Sequence, residues 1–229
     1  MSSLEARLRD VRRRIAEACA RAGRAPDSVS LVAIAKTFPA DRVRELLACG
    51  QTLFGESRVQ EALGKISDVG EGARWHLVGH LQRNKARHAV GAFDLIHSVD
   101  GEPLARELDR RSAAAGIRQA ILLQVNLSEE ATKHGLDQGG ARPLLEVVAG
   151  LDHLDPRGLM TIPPPADRAE ESRPWFARLR ELRDRLCESS GLDLPELSMG
   201  MTGDFEVAVE EGATLVRVGT ALFGERLPG

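Results

Sequence analysis

The sequence predicts a single (β/α)8 TIM barrel of the α/β class, and three observations carry that expectation. Eight short apolar runs recur along the 229 residues. Helical patterns separate them, and almost every run ends in a small or polar residue. Runs that are apolar on both faces suit strands of a buried parallel sheet, whose crossovers need intervening helices. A doubly wound open sheet is the alternative arrangement of the same elements.

Taken in chain order, Ser2 and Glu5 fit a capping box, and Leu4, Leu8, Val11 and Ile15 follow at helical spacing. An N-terminal helix is therefore expected over about residues 3–22, with Gly23 and Pro26 ending it. Leu31–Ala35 is the first strand. Pro39 opens a helix that carries Val43, Leu46 and Leu47 inward and closes at Gly50. Strand-like runs follow at Thr52–Phe54, Trp75–Val78, Leu95–His97, Ala120–Val125, Arg157–Met160, Glu196–Ser198 and Leu215–Val218. Helical patterns lie near 58–69, 83–90, 102–115, 141–150, 170–188 and 205–211. The 170–188 pattern is the clearest, with Phe176, Leu179, Leu182 and Leu186 on one side. Pro163–Pro165 marks a loop after the sixth strand. No linker, repeat or low-complexity block divides the chain, so residues 1–229 are expected to form one domain.

Composition removes several function classes. The formal charge of −3 argues against a nucleic-acid binder driven by bulk electrostatics. No apolar run approaches the ~20 residues of a membrane span, and no apolar stretch follows the N-terminal charges as a signal peptide requires. Cys19, Cys49 and Cys187 are widely spaced with no CxxC pair, which supports neither a disulfide framework nor a structural zinc site and fits a reducing cytoplasm. His76 and His80 form HxxxH across a strand end rather than within a helix, so a shared metal is not expected. The chain has no tyrosine, which excludes a phenolic acid, base or nucleophile. Lysine occurs at 36, 65, 85 and 133 only, leaving 27 arginines among the 31 cations.

In a parallel barrel the chemistry sits at the C-terminal strand ends. Those positions are Lys36, Glu56–Ser57, Gly79–His80, Ser98, Asn126, Thr161, Ser198–Gly200 and Gly219–Thr220. Lys36 follows five apolar residues. A lysine at the mouth of a core loses hydration, which favours the neutral, nucleophilic amine that forms Schiff bases with carbonyls. The alternative is a lysine that reaches solvent or pairs with Glu56. Gly200, Thr202 and Gly203 lead into the helix near Phe205, while Gly219 and Thr220 follow the last strand. Barrels commonly hold phosphate at these two places, on glycine backbone and hydroxyls. Ordinary helix caps at Thr202 or Asp204 are the other possibility. Arg217 shares a strand face with Gly219 and needs a partner there, either a buried carboxylate or a ligand. A Schiff-base lysine beside a phosphate site points to a phosphorylated carbonyl compound.

These residues, in this order, resemble the pyridoxal-phosphate homeostasis protein family. The resemblance runs from about Leu31 to Glu225 through LVAIAKTFPA, LFGESRVQEALGKI, WHLVGHLQRNKAR, LIHSVD, QVNLSEEATKHGL, RGLMTIP, SMGMTGDFEVAVEEG and VRVGTALFGER. It implies a cytosolic barrel like the N-terminal domain of alanine racemase, with pyridoxal 5′-phosphate (PLP) as cofactor in a Schiff base on Lys36. It further implies that Thr202, Gly219 and Thr220 hold the phosphate, with Met201 in the same loop, and that Arg217 faces the pyridine nitrogen. There it would disfavour ring protonation and weaken the electron sink. Ser57 occupies the place of the family's usual Asn at the ring, Thr202 replaces the usual Ser, and His80 stands where members have Pro or His. Alanine racemase adds a β-domain and a tyrosine from a second subunit; this chain has neither the length for that domain nor any tyrosine.

The resulting expectation is a monomeric cytoplasmic PLP-binding protein that serves PLP homeostasis without robust catalysis. PLP-dependent apo-enzymes are its partners, with no nucleic acid, membrane or metal. A weak PLP-dependent amino-acid racemase or lyase, with Lys36 doubling as base, is the first alternative; a Schiff-base aldolase without PLP is the second.

Overall fold

The computed structural model describes residues 3–128 and 134–224. Ser2 of the expected capping box, Lys133 and Glu225 lie outside the described residues. Eight parallel strands close into one barrel in the order β1 to β8, with β8 pairing back on β1. Closure removes the open-sheet alternative. The strands are β1 (Ser30–Ile34), β2 (Leu53–Glu56), β3 (Arg74–Leu77), β4 (Leu95–Val99), β5 (Gln119–Gln124), β6 (Leu154–Met160), β7 (Glu196–Ser198) and β8 (Leu215–Val218).

The helices are α1 (Ser3–Arg21), α2 (Ala40–Ala48), α3 (Val59–Val69), α4 (Ala86–Ala89), α5 (Glu102–Ala115), α6 (Gln138–Ala149), α7 (Arg173–Ser190), α8 (Phe205–Glu210) and α9 (Thr220–Phe223). Helix α1 precedes the barrel and lays Leu4, Leu8, Val11, Ile15 and Cys19 against it. The pattern near 83–90 resolves into a 3-10 turn at Arg83–Lys85 followed by α4. Helix α6 starts at Gln138, one turn earlier than the periodicity indicates, because the Asp137 carboxylate caps it by accepting from Gly140 N–H at 2.6 Å.

Strand β6 also begins earlier than Arg157, and Pro156 explains the difference. Proline cannot donate to a ladder and is confined to edges or bulges. A register shift between β5 and β6 accommodates it, and Gly158 follows at φ +153°. A Cβ on Gly158 would stand 1.8 Å from the Glu196 carbonyl oxygen, so only glycine lets β6 approach β7.

Alternation along the strands makes two cores. Outward residues such as Phe54, Trp75, Leu77 and Ile121 pack under the helices in the larger one. Val32, Ile34, Leu53, Leu95, Leu122, Met160 and Leu215 fill the lumen. Above and beside this plug lie buried polar side chains: Arg217, Ser198, His97 and His76. No helix among the described residues is long and apolar enough to cross a membrane.

Candidate functional site

All seven residues singled out from the sequence line one cavity of about 450 Å³ at the C-terminal strand ends. Lys36 and Ser57 come from the ends of β1 and β2, Met201 and Thr202 from the β7–α8 loop, and Arg217, Gly219 and Thr220 from β8 and its exit. Ile34, Phe38, Val78, Gly79, Ile162 and Gly203 complete the wall. Lys36 and Arg217 are the only titratable groups on that wall among the described residues. The volume is in the range of small-molecule sites.

Lys36 is half-buried and has no hydrogen bond or ion pair among the described residues. The expected alternative partner, Glu56, is taken. Glu56 is fully buried and its Oε1 accepts from Lys65 Nζ at 2.5 Å. Lys65 also donates to the Ala35 carbonyl at 2.7 Å and to Glu61 Oε1 at 3.3 Å. Glu61 in turn accepts from the Thr37 backbone N–H at 2.6 Å. Thr37 sits at φ +70°, a strained conformation for a β-branched residue. The residues on both sides of Lys36 are thus held by one cluster, in which the buried Lys65 grips Ala35 and the half-buried Glu61 grips Thr37. Burial raises the Glu56 carboxyl above its ordinary range, and the Lys65 hydrogen bond opposes that shift. Sequence reading misses this cluster, because Lys65 looks like any cation on a helix; its one signal is the Glu61–Lys65 spacing of four.

Arg217 is buried at 4 % exposure and has no carboxylate within ion-pair distance among the described residues. Its Nη1 donates to Ser198 Oγ at 2.5 Å and its Nη2 to the Thr161 carbonyl at 2.8 Å. Desolvation lowers it to about 10, which still leaves a cation at neutral pH. A buried cation held by neutral acceptors, with other N–H groups to spare, calls for an acceptor from the cavity it lines.

The two glycine loops face the same space. The backbone N–H groups of Thr202, Gly203, Gly219 and Thr220 have no hydrogen-bond partner among the described residues. Asp204 stands at the α8 N-cap but makes no capping bond there; its carboxylate accepts from Met201 N–H at 2.7 Å and braces the loop. The ordinary-cap reading of this segment therefore does not hold. Gly79 packs so closely on β2 that a Cβ would lie 2.2 Å from the Ser57 carbonyl oxygen, which fixes the height of Ser57 in the wall.

The two histidines of HxxxH part company. His76 points into the lumen, where its Nδ1 meets His97 Nε2 at 2.9 Å. His80 turns outward, pairs with Asp100 at 3.3 Å and stacks on His134 with centroids 3.8 Å apart. Cys19, Cys49 and Cys187 are all free.

The family model described as alanine racemase, N-terminal domain, matches residues 7–227. The pyridoxal phosphate homeostasis protein of Aquifex aeolicus is 45 % identical over 96 % of this chain and 97 % of its own. That of Escherichia coli K12 is 36 % identical over 99 % and 98 %. A structure of PipY from Synechococcus elongatus with PLP bound superposes with a TM-score of 0.81 at 43 % identity, covering 92 % of this chain and all of PipY. Alanine racemase of Clostridium difficile shares the fold at a TM-score of 0.75 and 14 % identity, this chain matching 58 % of that larger one. With a closed barrel, a cavity built from the residues its motifs single out, and full-length relatives at this identity, the chain belongs to the pyridoxal phosphate homeostasis protein family.

Proposed function

We propose that this protein binds PLP for intracellular, cytoplasmic PLP homeostasis, as a monomer, and holds it as a Schiff base on Lys36 without robust catalysis. One observation carries the reading: among the described residues, an unpaired lysine, a buried cation without a carboxylate and two loops of unpartnered N–H groups surround one cavity. Each is matched by one part of the cofactor. The aldehyde takes Lys36. The phosphate takes Thr202, Gly219 and Thr220, with Met201 shaping the same loop. The pyridine nitrogen takes Arg217, and Ser57 offers a hydroxyl to the ring. When bound, PLP supplies an electron sink for amino-acid chemistry.

The protein's own residues argue for holding rather than turning over. Arg217 can only donate and stays charged, so a nitrogen facing it remains unprotonated and the sink is shallow. Release to PLP-dependent apo-enzymes is the use that a reversible linkage at an open strand end supports.

The test is absorbance and mass. Protein mixed with PLP should develop a visible band, and borohydride should remove the band and add the cofactor's mass at Lys36. Lys36→Ala should give neither. A wild-type protein that takes up no PLP would sink the proposal and favour the Schiff-base aldolase reading.

A further inference from the structure

The buried polar groups beneath the cavity form one line across the barrel. Arg217 of β8 donates to Ser198 Oγ of β7 at 2.5 Å. Ser198 Oγ lies 2.8 Å from His97 Nδ1 of β4, on the far wall. His97 Nε2 lies 2.9 Å from His76 Nδ1 of β3. All four side chains are buried, Ser198 and His97 completely.

The proton positions follow from donor arithmetic. A guanidinium only donates, so Ser198 Oγ is an acceptor toward Arg217 and has one O–H left to give. Among the described residues its only other contact is His97 Nδ1, so a hydroxyl that satisfies its own proton donates there and finds that nitrogen bare. The His97 proton then sits on Nε2 and is donated to His76 Nδ1, and the His76 proton sits on its own Nε2. Every link runs away from Arg217.

We propose that His97 and His76 are positioning residues that hold Arg217 at its height in the cavity floor, by locking the Ser198 hydroxyl as an acceptor toward the guanidinium. A protonated His97 would undo this. It would put a proton on Nδ1, leave the Ser198 hydrogen without its acceptor and set a second cation beside Arg217. Burial opposes such protonation in both rings, and His76 and Arg217 add to it at His97. The other charged groups that act on the line are Asp94 and Arg74, which pull His76 in opposite directions, and Asp204, which acts on Arg217. The role rests on Arg217 serving the cofactor ring, but the tautomers are a property of the cofactor-free protein.

The experiment therefore has two arms. Nitrogen-15 imidazole spectra of the cofactor-free wild type should show both rings neutral at pH 5, with the proton on Nε2 in each. A His97 proton on Nδ1, or a His97 that titrates above pH 5, would overturn the inference even if PLP binds. In the second arm, His97→Leu removes the acceptor for Ser198. It should weaken PLP retention about tenfold, the scale of one buried hydrogen bond left unmade, and shift the visible band of the bound cofactor. His97→Asn, which restores an acceptor near the Nδ1 position, should recover most of both. A folded His97→Leu protein with wild-type retention and an unshifted band would also overturn it. If wild-type protein binds no PLP, the functional reading falls, and the spectra of the free protein alone decide the relay.

Discussion

At the scale of single residues, charge and its partners decide what each group near the cavity can do. Lys65 pairs with Glu56 Oε1 inside the fold, and removing one partner of a buried pair leaves an uncompensated charge. Lys65→Met should cost about 3–5 kcal/mol in denaturant unfolding. It should also slow capture of PLP at Lys36, because the Ala35 carbonyl loses its donor. A loss under about 1 kcal/mol would mean that the pair does not hold the β1 turn. His76 makes a pH prediction. It sits near pKa 4 in the folded protein, against 6.5 ordinarily, because of burial. The unfolded chain then binds the extra proton between these values, so stability falls as pH drops from 6.5 toward about 4. The loss approaches about 3 kcal/mol from this group, and His76→Asn should flatten that part of the profile. Lys36 and Arg217 were legible in the sequence because a charge in an apolar strand is conspicuous. Lys65, Glu61 and the Ser198–His97–His76 line were not, since their partners lie on other strands and only closure brings them together.

At the scale of elements, the repeated alternation of apolar run and helix was enough to anticipate all eight strands. Their boundaries failed where a local device overrides periodicity: the Asp137 cap lengthens α6, and the Pro156 bulge lets β6 begin at Leu154. The sequence shows Pro156 as an interruption, whereas the barrel absorbs it with Gly158. This sets two glycines apart. Gly158→Ala drives a methyl into the Glu196 carbonyl and should cost at least about 3 kcal/mol or abolish folding. Gly64 lies inside α3 with open space around its Cβ position. Gly64→Ala should stabilise by about 1 kcal/mol through helix propensity. Thermal melts of the pair measure the contrast; equal effects would show that the β6–β7 approach is not tight.

At the scale of the whole molecule, the barrel shares its fold with alanine racemase, and racemization sets a requirement that the cavity wall can be compared with. Inverting a stereocentre takes a proton from one face and returns one to the other, so two positioned acid/base groups are required. Among the described residues the cavity wall offers two titratable groups, Lys36 and Arg217. The arginine stays protonated at neutral pH and is held by Ser198 and Thr161. No tyrosine exists anywhere in the chain to supply the second group. PLP-loaded protein incubated with L-alanine in deuterium oxide should therefore show no accumulation of D-alanine. Slow deuterium exchange at the α-carbon with retention is the most that Lys36 alone, working from one face, can give. Chiral chromatography and mass spectrometry of the recovered amino acid separate these outcomes. Sustained inversion that Lys36→Ala abolishes would identify a second proton donor and overturn the proposed non-catalytic role. Retention with exchange would locate the lysine on one face of the cofactor and leave the other face without a base.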